Sequence, residues 1–175
     1  MIAKLTGIID GTFKDSLIID VSGVGYYVFC SARTLAAVDA KDTTVSLYIE
    51  THVREDHIHL YGFFDQHEQA WFKLLTTVQG VGAKVALAML SVIAPDGLAQ
   101  AIAAQDKAVV AQAPGVGPKL ALRIITELKD KLAAITLDEG VVFSSTKEPS
   151  GAVENGKNVN AAKADAISAL VNLGY

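Results

Sequence analysis

Hydrophobic positions follow two different periods along this chain, and the change falls near residue 64. Before it, apolar residues come in short runs, IAKLTGII, SLIIDV, YYVFC, TVSLYIETHV and IHLYGF, rich in β-branched and aromatic side chains. Turn formers separate them: Asp10-Gly11, Gly23-Val24-Gly25 and the charged trio Arg54-Glu55-Asp56. From Asp65 the spacing becomes helical. Asp65 and Glu68 make a candidate capping box ahead of Trp71, Phe72, Leu74, Leu75 and Val78. Short helices follow, broken at Gly80-Val81-Gly82, Pro95-Asp96-Gly97, Asp106 and Pro114-Gly115-Val116-Gly117. The next helix runs from Pro118 to about Ala134, with proline in a first turn, where its missing N–H costs nothing.

This pattern predicts an α+β multidomain chain. Residues 1–63 suit a closed or nearly closed five-stranded barrel, for which the OB-fold is the commonest choice and an SH3-like barrel the alternative. Residues 64–140 read as an all-α unit. Residues 141–159, rich in Ser, Gly, Asn and Lys, read as a flexible linker. Residues 160–175 read as one amphipathic helix capped by Asn160, with Ala164, Ile167, Leu170 and Val171 on one face. A lone helix of that length cannot bury its apolar side, so it is expected to be the first helix of an incomplete domain, disordered unless a neighbour covers it.

A hydrophobic content of 51% supports a genuine core. There is no run of about 18 apolar residues, and MIAKLTGIID has no signal-peptide pattern, so a cytoplasmic protein without membrane partners is expected. The single cysteine, Cys30, excludes an intrachain disulfide and a multi-cysteine zinc site, and is most simply a small buried residue. The formal charge of -4 excludes DNA binding by bulk positive charge. Residues 1–63 carry five Lys/Arg against eight Asp/Glu, residues 64–140 seven against eight, and residues 141–175 three against three. Any DNA contact must come from a few placed cations and backbone amides.

The helical unit supplies them in a repeat. At an offset of 35 residues, GVGAKVAL (Gly80–Leu87) aligns with GVGPKLAL (Gly115–Leu122). This is the helix-hairpin-helix pattern. Its glycines permit left-handed backbone and let a phosphate approach without Cβ atoms in the way. Val81 and Val116 plug the hairpins, and Ala86 and Ala121 let the helices pack closely. The second helix of each motif presents unpaired N–H groups and a positive dipole end as an anion site. Lys84 and Lys119 stand beside these sites, with Arg123 one turn further along. A single GxG before a helix is usually only a tight turn; two copies agreeing in glycine, lysine and alanine favour phosphate binding. Neither lysine precedes Ser or Thr, which excludes a Walker loop. Backbone-directed contacts carry no base readout, so sequence specificity should be weak.

Other chemistry is thin. His57 and His59 share a strand face near His52 and Glu55, but two histidines without a clear third ligand are ordinarily surface residues, so no metal site is assigned. No cofactor and no catalytic residue are assigned. The rival from another class is a helix-hairpin-helix DNA glycosylase, in which a hairpin lysine works with an aspartate about 20 residues downstream; Lys119 and Asp138 have that spacing. A generic interaction module remains open but leaves the lysine-bearing repeats unexplained.

Over essentially its whole length the chain resembles the RuvA family, the bacterial Holliday-junction-binding subunits of the RuvAB branch-migration complex. The resemblance rests on MIAKLTGII, the GVGY turn at Gly23–Tyr26, VREDHIHLYGF at Val53–Phe63, both hairpins and the closing DAISALVNLGY. It implies a non-catalytic subunit acting in recombination and DNA repair and a four-fold homotetramer holding an open four-way junction, either as one tetramer or as two that sandwich the DNA. It also implies that ATP hydrolysis resides in the motor RuvB. DNA contacts carry over to Gly80, Gly82, Lys84, Gly115, Gly117, Lys119 and Arg123. The family's acidic pin maps onto Glu55 and Asp56, whose carboxylates would repel phosphates and favour separated arms. There are two departures. Ala83 stands where many relatives have proline, which is expected to loosen the first hairpin slightly. Only the first helix of the three-helix motor-docking module is present, so RuvB docking is expected to suffer.

Overall fold

The computed structural model of the protein describes residues 1–38 and 44–138, and the side chains of the last helix as far as residue 131. The expected linker and terminal helix lie outside the described residues. Five strands, β1 (Lys4–Thr12), β2 (Ser16–Val21), β3 (Val24–Cys30), β4 (Thr44–Val53) and β5 (Ile58–Phe63), close into a barrel in the order β1-β2-β3-β5-β4. All neighbours are antiparallel except β3 and β5, which run parallel. A parallel pair needs a crossover. Here it consists of α1 (Ala32–Ala37) and β4, and this OB-like topology displaces the SH3-like alternative.

Two expected breaks fall elsewhere. Asp10-Gly11 is not a turn: β1 continues to Thr12, and the register with β2 slips between Ile9 and Gly11. An extra residue bulges the strand and lets it bend around the barrel. Gly23-Val24-Gly25 is not a three-residue loop either. Ser22 and Gly23, with φ of 55° and 88°, form a two-residue hairpin turn, and Val24 already pairs with Val21. Helix α1 went unanticipated; its signal is Ser31, whose side chain caps it by accepting from the Thr34 N–H at 3.0 Å.

Alternation along the strands fills the barrel with Leu5, Ile9, Leu17, Ile19, Val28, Leu47, Ile49 and Leu60. Gly62 also faces inward: a Cβ there would lie 2.6 Å from Val28 Cγ1, so the full interior requires glycine. Cys30 is part of this core, and burial pushes its thiol up to about 12, which keeps it protonated and unreactive at neutral pH.

The opposite face of β5 starts a second core. Tyr61 and Phe63 pack under α2 (Gln66–Thr76), α3 (Ala83–Val92), α4 (Pro95–Ala103), α5 (Lys107–Val110) and α6 (Pro118–Asp138). Trp71, Phe72, Leu75, Leu90, Leu98, Ile102, Ile124 and Leu128 complete it, so barrel and helices form one compact unit. Among the described residues no single helix is long and apolar enough to cross a membrane.

The capping box at α2 is half formed. Asp65 accepts from the Glu68 N–H at 2.7 Å, but the Glu68 side chain does not return the bond. Buried at 5% exposure, it accepts from Thr34 Oγ1 at 2.6 Å and from Ser31 Oγ, tying the helices to α1. Glu68→Ala would orphan two buried hydroxyls, and a loss of about 2–3 kcal/mol in urea unfolding is expected.

Candidate nucleic-acid interface

Each hairpin is built by the same hydrogen bonds at the 35-residue offset. Val81 N–H donates to Val78 O at 3.0 Å and Val116 N–H to Ala113 O at 3.1 Å. Ala86 N–H donates to Gly82 O at 2.9 Å and Ala121 N–H to Gly117 O at 2.8 Å. The hairpin with Ala83 thus makes the same backbone bonds as the hairpin with Pro118. Val81 and Val116 are buried plugs, and Ala86 and Ala121 are completely buried at the helix contacts.

The glycines divide their labour, which sequence reasoning did not resolve. Gly80 and Gly115 take the left-handed conformation, with φ of +97° and +85°. Gly82 is an extended N-cap residue at φ -86°, and it offers α3 no side-chain cap. A Cβ built on Gly82 or Gly117 meets nothing within 4 Å, so the surface in front of both is open. A Cβ on Gly80 would lie 3.2 Å from Leu120, and one on Gly115 would lie 3.4 Å from Val85. Val85 and Leu120 are themselves equivalent at the 35-residue offset, so each hairpin packs on the other's helix in a reciprocal, pseudo-two-fold pair.

The cations complete the surface. Lys84 and Lys119 are exposed on the first turns of α3 and α6. Arg123 also starts from α6 but reaches the other hairpin: its Nη1 donates to Gln79 O and to Gln79 Oε1, both at 3.3 Å. Its Nε lies 4.0 Å from Glu127 Oε1. Lys131 Nζ donates to Thr77 Oγ1 at 2.5 Å, also at the first hairpin. Gln79 and Lys131 were not anticipated. A signal existed, since Lys119, Arg123, Glu127 and Lys131 recur every four residues along α6.

Glu55 and Asp56 form the exposed tip of the β4–β5 hairpin, closed by Arg54 N–H donating to His57 O at 2.9 Å. Asp56 Oδ1 lies 2.6 Å from His57 Nδ1, and the His57 and His59 rings stack with centroids 4.1 Å apart. Among the described residues no three His, Cys, Asp or Glu side chains cluster as metal ligands. The glycosylase reading fails on distance. Lys119 and Asp138 lie on one continuous helix, about 28 Å apart at 1.5 Å per residue, and cannot share a base pocket.

Comparison with known proteins agrees with this architecture. Residues 1–62 match the family described as RuvA N terminal domain, and residues 72–130 match the SAM-like helix-hairpin-helix tandem. The chain is 56% identical over 176 residues to the Holliday junction branch migration complex subunit RuvA of a Bradyrhizobium species, covering 100% of this chain and 83% of that relative. To the proteins of the same name from Rhodopseudomonas palustris and Acidiphilium cryptum it is 54% and 53% identical, with the same coverage. The chain belongs to the RuvA family.

Membership in the RuvA family fits a non-catalytic DNA-binding subunit, and the glycines allow a test that separates folding from binding. Gly80→Ala and Gly115→Ala force an L-residue into left-handed backbone, and each should cost about 1–2 kcal/mol in urea unfolding. Gly82→Ala and Gly117→Ala meet open space and should barely change stability. Their methyl groups would occupy that open space, and if it receives a phosphate, DNA affinity measured by fluorescence anisotropy should fall roughly tenfold, the worth of one charge-assisted hydrogen bond.

Proposed function

We propose that this RuvA-family chain binds four-way (Holliday) DNA junctions through their sugar-phosphate backbones, as the non-catalytic subunit of a branch-migration complex. The single observation that carries the reading is the reciprocal packing of the two hairpins. It presents two open glycine-capped helix starts and two exposed lysines on one compact unit, and backbone amides beside lysines suit phosphates rather than base edges. Gly80, Gly82, Lys84, Gly115, Gly117, Lys119 and Arg123 are the proposed DNA-binding residues. Arg123 acts between the hairpins, and Lys131 extends the cationic surface.

Glu55 and Asp56 are the proposed acidic pin. Val53 and Ile58, 68% and 66% exposed, flank the turn, and Phe13 and Tyr27 are half exposed elsewhere on the barrel. Such uncovered apolar surface supports packing of barrels into the four-fold homotetramer, with the pins gathered near its axis and a second tetramer closing over the DNA. In that assembly residues 1–63 oligomerise and carry the pin and residues 64–140 hold the DNA. ATP hydrolysis and translocation belong to the RuvB motor, and a cytoplasmic location follows from a chromosomal DNA substrate.

The test is a gel-shift titration with a four-way junction and a linear duplex of the same composition at one fixed salt concentration. The junction is expected to bind at least about 100-fold more tightly, with little dependence on sequence. Equal affinity for the two rejects the proposal.

A further inference from the structure

Between the barrel and α3 lies a slot of about 310 Å3, at the low end of the range for small-ligand sites. Its two walls differ in chemistry. The barrel wall is aromatic. Parallel pairing sets Phe29 opposite Tyr61, and His59 stands one pleat earlier on the same face of β5. The three rings touch one another, with centroids 5.0 Å apart for Phe29–His59, 5.8 Å for Phe29–Tyr61 and 6.2 Å for His59–Tyr61. The facing wall is α3, with Lys84 and Ala88 one turn apart, and Asp15 stands at the rim.

Packing of the helices accounts for only part of this aromatic surface. Tyr61 and Phe63 are buried beneath them, whereas Phe29 packs against the edge of that core and, like His59, stays half-buried. Lys84 links the slot to the first hairpin, since it lines the slot and also stands at the glycine-capped start of α3. A ligand satisfying both features has a flat ring attached to a phosphodiester. A paired base cannot enter, because both its faces are already stacked in the duplex. Nor is the slot made for a phosphate, which Asp15 would repel; the same carboxylate accepts a hydrogen bond from an exocyclic amino group.

We propose that this slot takes up one unpaired nucleobase of the bound DNA, stacked against Phe29 and His59, with its adjoining phosphate at Lys84. The proposal rests on the junction reading above, because an opened crossover is where such a base becomes available. Asp15 favours adenine, cytosine or guanine, whose exocyclic amino groups extend furthest towards it, over thymine, whose one donor is the ring N3–H.

The experiment compares three four-way junctions by fluorescence anisotropy: fully paired, with one extra unpaired adenine at the crossover, and with one extra thymine. The wild-type chain should bind the adenine junction roughly tenfold more tightly than the paired one, as a single base–aromatic stack supplies, and the thymine junction less tightly than the adenine one. Ala88→Leu fills the slot from α3 and His59→Ala removes a stacking ring. Each should abolish the preference while leaving affinity for the paired junction unchanged, which also reports that the variant is folded. Indifference of the wild type to the extra base overturns the slot while leaving junction binding intact. So does persistence of the preference in both variants, or loss of paired-junction binding in both, which would make the wall structural. Failure of the wild type to prefer any junction over linear duplex removes the underlying reading instead.

Discussion

Replacing Lys84 and Lys119 together by alanine should weaken junction binding on the order of 100-fold, with no change in thermal stability. Both side chains are exposed, and neither lies in a hydrophobic core, so folding does not depend on them. On the proposed reading each supplies a charged contact beside unpaired helix amides, worth about 1.5 kcal/mol or more, and 1.4 kcal/mol is a factor of ten. The losses should be independent of DNA sequence, because phosphates carry no sequence information. A plot of log affinity against log salt should also become shallower by about 0.9 for each phosphate contact removed per subunit. The check is a salt titration of the double variant alongside the wild type. An unchanged slope would mean that the repeated hairpins serve only to pack the helices against each other.

The acidic turn should respond in the opposite direction. Glu55→Gln with Asp56→Asn is expected to raise affinity for linear duplex about fivefold and to reduce the junction-to-duplex ratio by the same factor. Two unit charges at about 8 Å interact by roughly 2 kcal/mol at an effective dielectric of 20, and salt screening brings this down to about 1 kcal/mol. On the acidic-pin reading, that repulsion would fall on any duplex forced across the centre of the assembly, and an open junction would avoid it. The amides preserve the size of the side chains and the hairpin's Arg54–His57 closure, which is made by backbone atoms. Asp56 does give up its contact with His57, but an exposed pair of this kind contributes little to stability. Parallel titrations of junction and duplex measure the ratio. A variant that binds both forms more weakly would assign the turn to assembly.

How much of this was legible in the chain varies with the range of the interaction involved. The hairpins were readable because their chemistry is local. A phosphate cradle needs glycine where the backbone turns left-handed, an open N-cap and a lysine one turn on, all within eight residues, and the 35-residue repeat showed it twice. The capping role of Asp65 was equally local, whereas the destination of Glu68 was not. Its i+3 spacing predicts a bond back to the helix start, but the carboxylate is captured by Ser31 and Thr34, more than thirty residues earlier. Helix α1 was lost among strands because six residues are too few to show a helical period. The supposed turns at Asp10-Gly11 and Gly23-Val24-Gly25 failed for a related reason. Glycine marks a bulge or the flank of a two-residue turn as readily as a loop.

The sequence alone determined the division into strands and helices, the identity of the two phosphate-binding candidates, and the need for local rather than bulk positive charge. Each of these depends on residues adjacent in the chain or separated by a regular period. Only the tertiary structure decided that Gly80 meets Leu120 while Gly115 meets Val85, that Arg123 of the second motif serves the first, and that Lys131 joins it. It alone set Phe29 beside Tyr61 across a parallel strand pair and opposite Lys84. These juxtapositions arise from closing a barrel and crossing helices, where the partner is chosen by packing of the whole core. No spacing along the chain encodes that choice.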